Sequence, residues 1–254
     1  VTSLCVELRL DSVIGKIDTL DELLGGGYDA VFLGTGAGLP MFLNIPGENL
    51  NGVYSANEFL TRVNLMKAYL FPEYDTPLRL GKRVAVIGGG NVAIDIARTL
   101  VRLRRGKGKE ITLLCPESRD QMPALAEEVK EALEEGIAIL NGWAPQRLHQ
   151  ENGKLLYVDF CRAEVKIDES SGTIKIIPID GEIQKHLADK IIIAIGQTMK
   201  PFHLPERIAI REGMIVTDRF GRTPRPNIFA GGGITGGKAF VADAIASGKM
   251  GAFA

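Results

Sequence analysis

Cysteine is scarce in this sequence. There are three, Cys5, Cys115 and Cys161, and no two stand in a C-x-x-C pair. Zinc and iron–sulfur ligand sets of the usual spacing are therefore absent. An odd cysteine count without a secretory signal fits a reducing compartment, so the expected location is cytoplasmic. Long hydrophobic runs are missing too: no apolar stretch reaches the roughly 18–20 residues of a membrane-spanning helix. Charge of one sign is also lacking. The 30 basic and 31 acidic side chains leave a net charge of −1, which offers no basic surface to a nucleic acid. The dense basic stretch 102–109 reads as a solvated helix end and turn, with cations where the helix dipole favours them. Histidine is equally sparse. His149, His186 and His203 lie far apart in segments read as loop or strand edge, and they form no acid–base triad.

What is plentiful is glycine, with 30 residues in 254, many beside short apolar runs. This fits tight strand-to-helix turns. Residues 6–10 alternate like a strand, and 19–24 read as a short helix with acids in its first turn. Residues 28–36 read as a buried strand ending in a glycine turn. Ser55 predicts a cap for a helix over 56–69, with Glu58 as its capping-box partner. The proline-containing stretch 71–80 reads as a linker. Strands are then expected at 82–87, 111–115, 138–140 and 190–195, and helices at 91–104 and 125–135. The acids Glu127, Glu128, Glu131, Glu134 and Glu135 read as a solvated helix face. Residues 155–167 and 173–178 read as a meander about the turn 169–172. A hairpin near 208–218, a strand at 227–230 and a helix from about 238 complete the pattern. The alternation predicts an α/β fold with a parallel, doubly wound sheet and two interleaved units.

The motif with most chemical content is Gly88-x-Gly90-x-x-Ala93, preceded by the apolar run Val84-Ala85-Val86-Ile87 and followed by an amphipathic segment. Each small residue has a task in a nicotinamide-dinucleotide site. Gly88 permits the sharp turn. Gly90 lets backbone N–H groups approach a pyrophosphate. Ala93 lets the helix lie close to the strand. Gly89, Asn91 and Val92 complete the loop and the helix start, where partial positive charge and free N–H donors favour an anion. A ligand-free glycine turn is the plain alternative. The flanking strand and helix outweigh it.

About twenty residues on, the second strand ends and the adenosine ribose is read. Pro116-Glu117-Ser118-Arg119 follows Cys115. A carboxylate there pairs with a ribose 2′-hydroxyl and repels a 2′-phosphate, whereas an arginine favours the phosphate. Glu117 thus argues for NAD(H) and Arg119 for NADP(H). Cys115, behind an apolar strand, reads as a buried inert thiol.

Taken with the segments 28–40, 45–49, 55–62, Met122-Pro123-Ala124, Ala194-Ile195-Gly196-Gln197 and 227–232, these residues resemble the glutamate synthase small-subunit (beta chain) family. They are similar also to the related large subunit of NADH-dependent ferredoxin:NADP oxidoreductase. The resemblance covers nearly the whole chain and implies two interleaved Rossmann-like domains of glutathione-reductase type. Residues 1–76 and 199–254 would belong to an FAD-binding domain, and 77–198 to an inserted NAD(P)H-binding domain. Gly34, Thr35, Gly36 and Gly196 would sit at the crossings between domains, with the turn at Gly232 and Gly233 approaching the flavin.

Three departures from the family pattern stand out. The family's N-terminal FAD glycine motif and iron–sulfur cysteines have no counterpart here, so the FAD domain is incomplete and the chain reads as a C-terminal fragment. Gly233 stands where the family usually places an Asp that holds the ribityl chain. Pro116-Glu117 stands where the family has an arginine pair, which shifts the expected cofactor to NAD(H) over NADP(H). The implied activity is an electron-input module: hydride transfer between NAD(P)H and FAD, with cofactors carrying the chemistry and an iron–sulfur or large-subunit protein as partner. The rival reading is a non-catalytic dinucleotide-binding or assembly module with a vestigial flavin site. A third, a thioredoxin-reductase-like disulfide enzyme, lacks its C-x-x-C.

Overall fold

The structure, a computed structural model, describes residues 4–103, 110–167, 174–179, 181, 183–199, 208–236 and 240–254. Residues 104–109 of the basic stretch, the expected turn 169–172, His203 and the expected start of the last helix at 238 lie outside the described residues. The chain forms two compact units, Pro40–Gly196 and the pair of segments Val1–Leu39 and Gln197–Ala254.

The larger unit is built on a five-stranded sheet in the order Val53–Ser55, Lys190–Ile193, Arg83–Ile87, Glu110–Cys115, Ala138–Asn141. Every pairing in it is parallel. Side chains alternate between the two faces of a strand, so neighbours along it serve different layers. Val84 and Val86 meet Phe59, Ile94, Ala97 and Leu100 in one core. Ala85 and Ile87 meet Trp143, Leu148, Val158 and Phe160 in another. Both layers exclude water, which is why the central strands carry no polar alternation.

The first layer is helical. Asn91–Leu103 buries Ala93, Ile94, Ile96, Ala97 and Leu100, the stripe of an amphipathic helix. Arg98 beside it is not left to solvent. Its guanidinium reaches Glu128 at 2.5 Å, Glu131 at 2.6 Å and Glu135 at 2.8 Å, on or next to the helix Ala126–Glu134. This corrects the expectation of a plain solvated acidic face. Only Glu127 and Glu134 keep that character, and Glu134 lies 3.8 Å from exposed Lys130.

The second layer is an antiparallel meander in which Lys154–Ile167 pairs with Trp143–Glu151, Gln184–Leu187 and Ile174–Pro178. Two of its strands, Trp143–Glu151 and Gln184–Leu187, are absent from the sequence expectation. The link between Trp143–Glu151 and Lys154–Ile167 is Asn152-Gly153, both with positive φ (50° and 73°), as a two-residue hairpin turn requires.

Two further expectations change. Residues 6–10 form no strand, and Val6, Leu8 and Leu10 are 45, 66 and 72% exposed, with no partner strand to accept their alternation. Ser55 does cap its helix, accepting from the Glu58 N–H at 3.2 Å, but the Glu58 carboxylate turns to Arg62 and the α-helix ends at Leu60. The next turn widens, with Met66 N–H donating to Thr61 O at 3.0 Å, before Lys67 takes a left-handed φ of 51°. The boundary drawn after residue 76 also differs from the compact units. Val53–Ser55 is a strand of the five-stranded sheet, and Ala56, Phe59 and Val63 lie in its helical core, so 40–76 belongs to the same unit as 77–196.

The smaller unit is held by a parallel pair, Val31–Leu33 with Ile228–Ala230. The helix Leu20–Gly25 opens with a full capping box between Thr19 and Glu22. The hairpin of Ile210–Arg211 and Met214–Ile215 adds Ile215 to a core with Leu20, Leu33, Ile228 and Ile234. A helix, Val241–Ala252, completes it.

Candidate functional site

The strand Arg83–Ile87 ends in the glycine loop, at the sheet edge where strand carboxyl ends meet. Gly88 has φ of 141°, and a β-carbon there would stand 2.2 Å from the Ala194 carbonyl oxygen. The close approach is fixed on both sides. Gly88 N–H donates to Leu114 O at 2.9 Å, and Ala194 N–H donates to Ile87 O at 2.8 Å. Gly90 is the opposite case: a β-carbon would meet nothing within 4 Å, so the loop presents open space where an anion would approach. Ala93 is fully buried, with its β-carbon 3.5 Å from the β-position of Gly88. The helix from Asn91 begins at the loop, with Ala93 N–H and Ile94 N–H donating to Gly90 O at 3.0 and 3.2 Å, and its opening turn carries the partial positive charge of a helix start. Asn91 also accepts from Leu125 N–H at 2.9 Å, and Gly89 O accepts from Ala124 N–H at 3.1 Å, so Met122-Pro123-Ala124 is tied to the loop. Val92 turns outward, 41% exposed.

The residues after the second strand divide. Glu117 lies against the glycines: its Oε2 is 2.8 Å from where a Gly89 β-carbon would stand, and that oxygen is buried with no hydrogen-bond partner. Its backbone is anchored by Asn141, whose Nδ2 donates to Glu117 O at 3.0 Å. Asn141 was not among the expected site residues. Its place at the end of the strand pairing with Glu110–Cys115 is the only sequence signal for it. Arg119 instead lies against the Met122 sulfur at 3.9 Å, on a cavity of about 440 Å³ beside the helix Ala126–Glu134. Ser118 donates to Gln121 at 2.9 Å and is exposed. Burial, reinforced by the nearby Glu117 carboxylate, pushes the Cys115 thiol up to about 12.

Gly196, with φ of 120°, closes the last sheet strand, and its carbonyl accepts from Met41 N–H at 3.0 Å. In the smaller unit the two expected turns come together. Gly231 N–H donates to Leu33 O at 3.1 Å. A β-carbon on Gly233 would lie 3.4 Å from Ala37 N and 3.7 Å from Gly36 Cα. Gly36 and Gly232 hold positive φ of 73° and 72°, while Gly34 and Thr35 are exposed. This junction offers backbone groups and the hydroxyls of Thr35, Thr235 and Ser247, with no carboxylate from position 233.

His149 and His186 stay apart from the loop. His149 Nε2 lies 2.6 Å from Asp159 Oδ2 and its ring stacks on Tyr157, in the meander. Burial holds His186 below its ordinary value. Among the described residues no cluster of His, Cys, Asp or Glu is placed to hold a metal, and no helix is long and apolar enough to cross a membrane.

Comparison with known proteins bears on family and fold. The chain is 34% identical over 256 residues to the NADP(+)-dependent formate dehydrogenase subunit beta of Moorella thermoacetica, which covers 99% of this chain and 34% of that protein. It is also 34% identical over 267 residues to the Glutamate synthase [NADPH] small chain of Escherichia coli (strain K12), covering 99% of this chain and 54% of that one. The chain thus spans about a third and about half the length of these relatives, and both are named as parts of larger enzymes. In fold it is similar to FprA from Mycobacterium tuberculosis, with TM-score 0.74 and 20% identity over 94% of this chain and 66% of that one. Residues 13–248 match the family described as pyridine nucleotide-disulphide oxidoreductase, and the chain belongs to that family.

Proposed function

We propose that this chain is the nicotinamide-dinucleotide-binding, electron-input part of a flavin-dependent oxidoreductase, and that it prefers NADH to NADPH. The observation that carries the reading is the pairing of an open Gly90 with the buried, unpartnered Glu117 oxygen beside Gly89. A buried carboxylate oxygen without a partner is costly, by about 1–3 kcal/mol or more. A ribose hydroxyl donating to it removes that cost. A 2′-phosphate brought to the same place meets a like charge.

The residues divide the work. Gly88 and Gly90 let the backbone close on a pyrophosphate, the helix from Asn91 supplies N–H donors and partial positive charge, and Glu117 reads the ribose. When bound, the nicotinamide and the flavin supply the hydride chemistry. The Gly34–Gly36 and Gly232–Gly233 turns support a flavin-facing role for the smaller unit. The relatives' names point to larger assemblies, which supports an iron–sulfur or large-subunit protein as partner. The NADH preference departs from the NADP(H) in those names and rests on Glu117 alone.

Calorimetric titration of the chain with NADH and, separately, NADPH tests the reading. Tighter NADH binding is expected. Tighter NADPH binding would overturn the preference and place Arg119 at the 2′-phosphate. A second reading, a binding module with a vestigial flavin turn, is favoured by Gly233. Flavin absorbance in the purified full-length protein separates the two, since a vestigial turn leaves it colourless.

A further inference from the structure

The five-stranded sheet has a second edge, where its strands begin, and that edge holds the larger unit's other notable cavity. It has a volume of about 620 Å³ and is lined by residues that include Tyr54, Arg79, Lys154, Asp189 and Lys190. The strands Arg83–Ile87 and Lys190–Ile193 start beside it and run away toward the glycine loop. Five residues of strand, at about 3.3 Å each, put roughly 16 Å between the cavity and that loop. It is a different site.

Its charge is lopsided. Arg79, Lys154 and Lys190 bring three cations from three separate segments, against the single carboxylate of Asp189. That carboxylate is already engaged: Oδ2 accepts from Lys82 N–H at 2.6 Å and Arg83 N–H at 2.9 Å, and Oδ1 accepts from Arg83 Nη2 at 3.2 Å. These bonds hold Asp189 on the wall and leave it little left to give a cation in the cavity. Among the described residues no ion pair joins any of the three cations to a carboxylate, and the Lys190 ammonium lies over the Tyr54 ring, 5.9 Å from its centroid.

The backbone is shaped to bring these groups together. Lys154 stands directly after the tight Asn152-Gly153 turn, which delivers it and Gly153 to the rim. Gly81 has φ of 70°, and a β-carbon there would collide with Asp189 Cβ at 2.6 Å. Arg79 therefore enters over a glycine that only a bare backbone satisfies. Gly52 likewise leaves room for Lys190, whose Nζ lies 3.2 Å from the Gly52 β-position. Leu155, Pro77 and Tyr54 add apolar wall.

From this arrangement we propose that the cavity binds a small organic polyanion, a metabolite-sized molecule carrying two or more carboxylate or phosphate charges, independently of the dinucleotide. The volume suits such a ligand. The Arg79 fork and two ammonium groups suit separated anionic groups on one molecule better than a single point charge. Tyr54 and Leu155 suit its carbon skeleton.

The test is calorimetry on the full chain with two probes, citrate for carboxylates and ribose 5-phosphate for a phosphate ester. Saturable binding of at least one probe is expected, weakening as salt is raised from about 50 to about 300 mM. Arg79→Gln and Lys154→Gln lie at exposed positions, so both variants keep the fold, and each should weaken that probe by about tenfold, as loss of one charge-assisted hydrogen bond does. NADH affinity should be unchanged in both. No saturable binding of either probe, or binding indifferent to both substitutions, would overturn the proposal. So would a parallel loss of NADH affinity, which would place these charges in the dinucleotide site instead.

Discussion

Glu117 and Gly89 meet across the glycine loop: the carboxylate Oε2 lies 2.8 Å from the space a β-carbon on Gly89 would fill. The contact makes glycine at 89 a condition for the position of the acid. Glu117→Ala should lower NADH affinity by about tenfold or more, the loss of one charged hydrogen bond, and leave NADPH affinity unchanged or raised. Gly89→Ala, by pushing the carboxylate aside, should shift the ratio in the same direction. Competitive titrations of both nucleotides measure it. An unaltered ratio in both variants would remove Glu117 from the ribose.

The two outer glycines of the motif should respond in opposite ways. At Gly88 a β-carbon meets a carbonyl oxygen at 2.2 Å on a φ of 141°. Gly88→Ala should therefore destabilise the fold by about 3 kcal/mol or more, read by chemical denaturation. At Gly90 nothing lies within 4 Å. Gly90→Ala should leave the denaturation midpoint nearly unchanged and weaken both dinucleotides alike, because its methyl group occupies the approach to the loop.

Cys115 should behave as an inert thiol, since burial raises it to about 12. With iodoacetamide at pH 8 the folded chain should take up one adduct, at exposed Cys5, while the urea-unfolded chain takes three. The same burial gives stability a pH dependence of definite sign. An unfolded thiol ionises at about 8.5, so above that pH the unfolded state releases a proton that the folded state retains. Stability should fall as pH rises from there toward 12. In Cys115→Ala this alkaline loss should be smaller in slope, whatever the substitution does to stability at neutral pH.

The Arg98 network should show the reverse dependence. Partial burial alone would raise Glu135, but hydrogen bonds from Arg98 and Arg102 outweigh it and hold the carboxyl below its ordinary value. Such a group stabilises the fold above its unfolded pKa of about 4.3, and the contribution is lost as pH falls through its lower folded value. Arg98→Met should lower the melting temperature at pH 7 and make little difference near pH 2. An equal loss at both pH values would assign the effect to packing instead of charge.

The fold was legible where burial imposes a period. Val84–Ile87, Ile111–Cys115 and Ile191–Ile193 are continuous apolar runs because both faces are covered, and the helix from Asn91 carries a regular stripe. The strand Trp143–Glu151 was hidden because Pro145, Gln146, Arg147 and His149 interrupt its apolar character, although Asn152-Gly153 is a hairpin signal of a recognised kind. Residues 6–10 misled for the converse reason: alternation is necessary for a half-buried strand and does not supply a partner. In the site, the glycines announced themselves. The buried oxygen of Glu117, the anchoring by Asn141 and the three-acid grip on Arg98 did not, since each joins residues distant in sequence through geometry that spacing does not encode.

The two-sided strand Arg83–Ile87 has a consequence for how this chain can vary in length. Because Val84 and Val86 belong to the helical layer and Ala85 and Ile87 to the meander, inserting or deleting one residue there exchanges the two sets and misplaces both cores at once. It also shifts Gly88 off the Ala194 carbonyl, where no other residue fits. Two-residue changes would restore the faces but move the loop along the sheet by about 7 Å. Gains and losses of residues are thereby confined to the connections between elements, and the distance from the first strand residue to the glycine loop is a fixed ruler within the molecule.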